Sequence, residues 1–235
     1  MAQATDDMMQ GWAAWKHFVT LPTFPVKASS TALVIIDMTY QQAARHYGVC
    51  KRLIDEGYGN ELGYYLDRIE TVVVPNLKRL IAACRQVGTP IFWTRCASLR
   101  GDGADQTWRH RSFGLATSVD SKDAQILEEI APGRNDVLLT KTGSSFFNST
   151  PAEHYFRNMK IDTLVITGIF TNSCCEGACR DAGDRDFRVL LAEDANAAMS
   201  PVGHKKAIDY LDGNFCHVRS TDRVIELLKG APGNC

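Results

Sequence analysis

Short apolar runs alternate with stretches of helical periodicity along most of the chain. Runs at 32–37, 90–94, 136–140, 163–167, 187–191 and 215–218 are largely apolar at consecutive positions and predict strands buried on both faces. Between them, apolar residues recur at helical spacing over 63–87, 121–130, 151–159, 173–183, 201–212 and 221–229. Pro151 after Ser149-Thr150 and Pro201 after Ser200 mark two helix starts, because a first-turn proline gives up an N–H that has no helical partner anyway. The alternation predicts an α/β fold of three layers, a mostly parallel, six-stranded, Rossmann-like sheet with helices on both faces. Ligands of such sheets sit beyond the carboxyl ends of the strands, where strand order reverses. The polar residues that close apolar runs are therefore the first candidates for chemistry: Asp37, Thr94-Arg95-Cys96, Lys141 and the segment 168–174.

With 235 residues, 45% of them hydrophobic, the chain buries a sizeable core and is expected to form one domain, 1–235. Lys plus Arg total 26 against 27 for Asp plus Glu, without charge blocks, so no footprint for nucleic acid or an anionic membrane is present. No run approaches the roughly 18 to 20 apolar residues of a membrane span. The first thirty residues, with Asp6, Asp7, Lys16 and Pro22, lack the basic start and apolar core of an export signal, and a cytoplasmic protein is expected. Eight cysteines are sparse for this length and several fall inside apolar runs such as 80–84, as reduced, buried thiols do. Two segments stand outside the repeat. Residues 1–30, with Trp12, Trp15, Phe18 and Phe24, form an arm packed on its own subunit or a neighbour, and a homo-oligomer, dimer or tetramer, is expected. Residues 96–120, with Arg100, Arg109, His110 and Arg111, are expected to form a lid.

Cys174 follows the fourth apolar run after a short turn and opens a helical pattern. Unpaired N–H groups and the positive end of a helix favour a thiolate there, and the same N–H groups suit the oxyanion of a carbonyl adduct. Asp37 and Lys141 close two other strands at the same edge, so an acid, a cation and a thiol are expected to converge. Cys175 is the rival nucleophile, but one residue along a helix turns its side chain by about 100 degrees, into the sheet. Cys174, Cys175 and Cys179 lack the paired Cys or His spacing of a metal cluster, so no metal and no other cofactor is expected. Tyr40, Gln41, Arg95, Phe146, Phe147 and Asn172 are candidate substrate contacts, with core packing the competing reading for the phenylalanines and for Trp93. Arg95 reads first as a solvated side chain, with a bidentate clamp on a substrate carboxylate as the functional alternative, because it ends a buried strand. His204 and His217 read as structural.

Three ordered blocks, 33–38, 141–150 and 167–182, with the continuation Leu191-Ala192-Glu193-Asp194-Ala195, resemble the signature blocks of the isochorismatase-like cysteine hydrolase superfamily over about residues 31–229. By position, the resemblance makes Asp37 the general acid/base, Lys141 the basic residue of a triad and Cys174 the nucleophile. It places a cis peptide at Ile169–Phe170 and implies an oxyanion hole from the N–H groups of Phe170 and Cys174. The nicotinamidases' metal-binding Asp-x-His motif occurs nowhere in the chain, and isochorismatase itself lacks the catalytic cysteine. The resemblance therefore implies the branch of N-carbamoylsarcosine, biuret, triuret and ureidoacrylate amidohydrolases: a metal-free cysteine amidohydrolase that cleaves a C–N bond of a small linear ureide or amide through a thioester and releases ammonia. Two departures are Thr39 in place of a glutamine common in the family, and a longer segment 42–62. The alternatives are a catalytically silent, partner-binding scaffold, a hydrolase of another small amide such as nicotinamide or maleamate, and a thiol redox sensor using Cys174 and Cys175.

Overall fold

The structure, a computed structural model, describes residues 11–12, 14–114 and 116–235; residues 1–10 and 13 of the arm and Leu115 of the 96–120 segment lie outside the described residues. Six strands form one sheet: β1 Thr31–Ile36, β2 Ile91–Cys96, β3 Val137–Lys141, β4 Thr163–Ile169, β5 Arg188–Ala197 and β6 His217–Arg219. Their order is β3-β2-β1-β4-β5-β6 and every pairing is parallel. Strand order thus reverses between β1 and β4, and the crevice expected of such sheets opens at their carboxyl ends.

All six residues of β1 are buried, and their alternation builds two cores. Leu33 and Ile35 join a cluster with Leu77, Leu80, Val224 and Leu227. Ala32, Val34 and Ile36 join another with Phe156, Ala178, Ile208 and Leu211. Each such aliphatic side chain contributes about 1.5–3 kcal/mol when fully buried. Helices therefore cover both faces, as the pattern predicts. In chain order they are α1 Tyr40–Ala43, α2 Gly48–Asp55, α3 Gly63–Arg68, α4 Val74–Val87, α5 Trp108–Ser112, α6 Ala152–Asn158, α7 Glu176–Gly183, α8 Pro201–Leu211 and α9 Thr221–Leu228. Ser200 caps α8 by accepting the Gly203 N–H (3.1 Å) with Pro201 in the first turn.

Two expectations are corrected and a third is extended. The helix over 63–87 is α3 and α4 joined by a π-helical turn at Ile69–Val73, just before Pro75, whose missing N–H the wider turn accommodates. The helix over 121–130 is absent: only 3₁₀ turns occur, at Lys122–Ala124 and Glu128–Ile130. Backbone groups there pair instead with the chain leaving β1, Leu127 N–H to Met38 O and Tyr40 N–H to Gln125 O, both at 3.0 Å. The segment 42–62, expected only to be longer than the family's usual loop, has a helix of its own, α2, brought close by Gly48, where a Cβ would fall 2.4 Å from Gln41 Cα. No helix among the described residues is long and apolar enough to cross a membrane.

Candidate active site

Lys141, the last residue of β3, is fully buried at the carboxyl edge of the sheet. Its Nζ lies 2.8 Å from Asp37 Oδ2, 3.0 Å from Gly143 O and 3.6 Å from Cys174 Sγ. A buried ammonium is tolerated only when paired and hydrogen-bonded in this way. Asp37 immediately follows β1, donates its N–H to Thr94 O at 3.0 Å, and adopts φ +54°, an uncommon conformation for a residue with a Cβ. Such conformations gather at functional sites, where the surroundings enforce them.

Cys174 is reached from β4 through the cis peptide Ile169–Phe170 and a π-helical turn, Thr171–Cys175, which leads into α7. Ser173 and Cys175 both donate their N–H to Phe170 O, at 3.0 and 3.1 Å, and the Cys174 N–H belongs to neither bond. Cys174 is 7% exposed, whereas Cys175 is fully buried in the second core with its thiol 3.8 Å from Thr167 O. The helical rotation thus separates them: Cys174 faces the acid and the ammonium, and Cys175 faces the sheet.

Burial pushes the Asp37 carboxyl above its ordinary value, against the pull of Lys141. Burial drags the Lys141 ammonium down, but the charge of Asp37 beside it holds it above its ordinary value, so it remains the cation. Burial also pushes the Cys174 thiol up to about 11, more than the ammonium lowers it. The thiolate expected from a helix start is therefore not the resting form; the site holds a thiol beside a carboxylate more basic than usual.

A further network fixes the turn. His204 on α8 contacts Thr171 Oγ1 through Nδ1 (2.8 Å) and Arg68 Nη2 through Nε2 (3.1 Å). Arginine only donates, so Nε2 accepts and the Nδ1–H donates to Thr171. The structural reading of His204 thus includes holding the turn that carries the nucleophile, which its place in the sequence gives no sign of.

The structure brings together Asp37, Lys141 and Cys174; the surroundings of the expected substrate contacts are as follows. Phe146 and Phe147 stack on each other (4.4 Å between ring centres) and pack against Phe156 in the second core. Arg95 lies inside β2, on the Trp93 side of the sheet, with Nε donating to Thr140 Oγ1 (3.1 Å) and Nη1 to Gln125 Oε1 (3.4 Å). Tyr40 packs edge-on to Tyr47 beneath the Lys122 ammonium, in a groove of about 520 Å³ with Ile69 and Leu127. Gln41 is buried where Gly48 closes on it, and Asn172 lies in a separate open cleft with Glu176, Arg180 and Tyr210. Trp93 is fully buried and His217 contacts Pro22 O (3.1 Å), both consistent with structural roles.

The 96–120 segment crosses the exit of β3. Thr107 N–H donates to Thr142 O (3.1 Å) and Arg109 Nη1 to Ser144 Oγ (2.8 Å). His110, buried beneath the segment with Nδ1 2.7 Å from Thr107 Oγ1, is lowered to about 4 by burial and then by the charges of Lys141 and Arg109. Among the described residues, no three His, Cys, Asp or Glu side chains form a group able to hold a metal ion.

Comparison with known proteins places the chain in a family. The isochorismatase domain profile matches residues 31–223. The chain is 28% identical over 165 residues to N-carbamoylsarcosine amidase of Arthrobacter sp, covering 68% of this chain and 62% of that one. It is 27% identical over 241 residues to ureidoacrylate amidohydrolase RutB of Klebsiella pneumoniae, covering 90% of this chain and 98% of that one. The crystal structure of a cysteine hydrolase from Pseudomonas syringae pv. phaseolicola superposes with TM-score 0.75 at 24% identity, over 90% of this chain and 99% of that one.

Proposed function

Because the chain belongs to the isochorismatase domain family, we propose that it is a cysteine amidohydrolase cleaving a C–N bond of a small linear ureide or amide, with Cys174 as nucleophile. The observation that carries this reading is the placement of one buried ammonium 2.8 Å from the Asp37 carboxylate and 3.6 Å from the Cys174 sulfur. The similarity to an N-carbamoylsarcosine amidase and a ureidoacrylate amidohydrolase supports the carbamoyl or ureido class of substrate.

In the mechanism, Asp37, made more basic by burial, takes the thiol proton as Cys174 attacks the carbonyl carbon. Lys141 stays protonated and offsets the negative charge as it passes between sulfur and carboxylate. The N–H groups of Phe170 and Cys174 receive the oxyanion. Collapse of the adduct breaks the C–N bond, Asp37 returns the proton to the departing nitrogen, and water hydrolyses the thioester.

The test is ammonia release across biuret, triuret, N-carbamoyl amino acids, ureidoacrylate, nicotinamide and maleamate, by the wild type, Cys174→Ala and Cys175→Ala. Turnover of a ureide that falls by about a thousandfold or more in Cys174→Ala and persists in Cys175→Ala is the expected result. Turnover that survives in Cys174→Ala removes the assigned nucleophile. Silence of the folded wild type on every compound favours the non-catalytic scaffold.

A further inference from the structure

Buried polar groups without partners are rare in folded proteins, and each needs a reason. Asp37 has Lys141 beside it. The other buried side-chain atoms without a hydrogen-bond partner, among the described residues, are Thr94 Oγ1, both amide atoms of Gln106, Ser145 Oγ and Asn196 Oδ1. All but the last belong to the carboxyl ends of β2 and β3 or to the loops that follow them.

Thr94 lies in β2, and its carbonyl holds the Asp37 N–H. Ser145 closes the loop that starts at Lys141 and faces the first turn of α7, where a Cβ on Gly177 would fall 3.9 Å from Ser145 Cβ. Gln106 is fixed from both sides. Asp105 accepts from Ser98 Oγ and from the Leu99 N–H just beyond β2, at 2.5 and 2.8 Å. Thr107 donates its N–H to Thr142 O, next to Lys141 (3.1 Å). Gln106 is therefore held between an anchor just beyond β2 and the exit of β3, and its side chain, 2% exposed, carries an amide that bonds to nothing among the described residues.

We propose that Gln106 is a specificity-determining residue that recognises the substrate's planar carbamoyl or ureido group, with the Ser145 hydroxyl as its companion. A primary amide presents donors and an acceptor in one plane, and a carbamoyl group presents the same set in complement. A site built this way favours ureides and rejects apolar amides, which would leave the buried glutamine unpaired. This inference rests on the ureide reading above.

The test uses Gln106→Leu and Gln106→Met with two readouts: the ligand-free Tm, and KM and kcat on the ureide that the wild type turns over. An amide waiting for a ligand contributes nothing to the empty fold, so Tm is expected to stay level or rise in both variants. KM is expected to rise about tenfold or more, with a smaller change in kcat. A KM within threefold of the wild type in both variants, or a lower Tm in both, overturns the assignment. If the wild type hydrolyses no ureide, the ureide reading fails by itself. Tm then decides alone whether Gln106 is held for a ligand or for the fold.

Discussion

Asp37 and Lys141 stand where β1 and β3 end and Cys174 follows β4 by one short turn, and parallel topology gathers those three positions at one edge of the sheet. Position along a strand, by contrast, does not say in the sequence which face its ending presents. Arg95 shows this: β2 continues to Cys96, so pleating sends Arg95 to the Trp93 side, away from Thr94 and Cys96. Gln106 carries no pattern at all; its signal is burial without a partner, which exists only once the chain is folded. For the nucleophile two effects oppose each other: a helix start argues for a thiolate, while burial pushes the Cys174 thiol up to about 11. Alkylation of Cys174 by iodoacetamide, followed site by site by mass spectrometry, should therefore be slow at pH 7 and keep accelerating toward about pH 11. A rate already level by pH 8 would mean that the resting site holds a thiolate. In Lys141→Met, which removes the cation that lowers the thiol, the rise should shift to still higher pH.

At the scale of elements, strands were easier to read than helices because strands buried on both faces announce themselves as unbroken apolar runs, whereas helical spacing also occurs in segments with other hydrogen-bond partners. Residues 121–130 have such spacing, but their N–H and C=O groups pair with the chain leaving β1, with Thr39 and Ile126 forming a bridge. The contact between β1 and β4 sets the distance between Asp37 and the turn of Cys174, and Gly168 makes it close. Gly168 pairs with Ile36 at φ +105°, and a Cβ there would lie 2.1 Å from Ile36 O. Backbone atoms on a central strand cannot yield as a flexible side chain can. Gly168→Ala should therefore cost on the order of 3 kcal/mol or more of stability, read as a lower urea midpoint, and should reduce turnover in whatever fraction folds. A midpoint equal to that of the wild type would show that β1 and β4 are free to separate there.

At the scale of the molecule, contacts between distant parts of the chain tie the arm down and hold the site in place. Residues 21–24 of the arm contact their own chain: Leu21 N–H reaches Gly213 O (2.8 Å), Pro22 O meets His217, and Phe24 O accepts the Cys235 N–H (3.0 Å). Two other histidines sit around the site, His110 under the crossing segment and His204 behind the nucleophile turn, and each is lowered from 6.5 to about 4, first by burial. Their charged neighbours are Lys141 and Arg109 for His110, and Arg68 for His204. A histidine with a depressed folded value binds its proton on unfolding, so the stability it contributes is complete above pH 6.5 and disappears as pH falls toward 4. Asp37, raised by burial, acts in the opposite sense, so pH alone does not isolate the histidines. His110→Gln and His204→Gln do. Urea midpoints measured at pH 7, 5.5 and 4.5 should fall steeply for the wild type and less steeply for each variant, with the smallest fall in the double variant. Parallel falls in all four proteins would show that neither histidine titrates with unfolding. A proton on His204 Nε2 removes the acceptor that Arg68 uses and sets two cations against each other behind Thr171, the residue that opens the turn carrying Cys174.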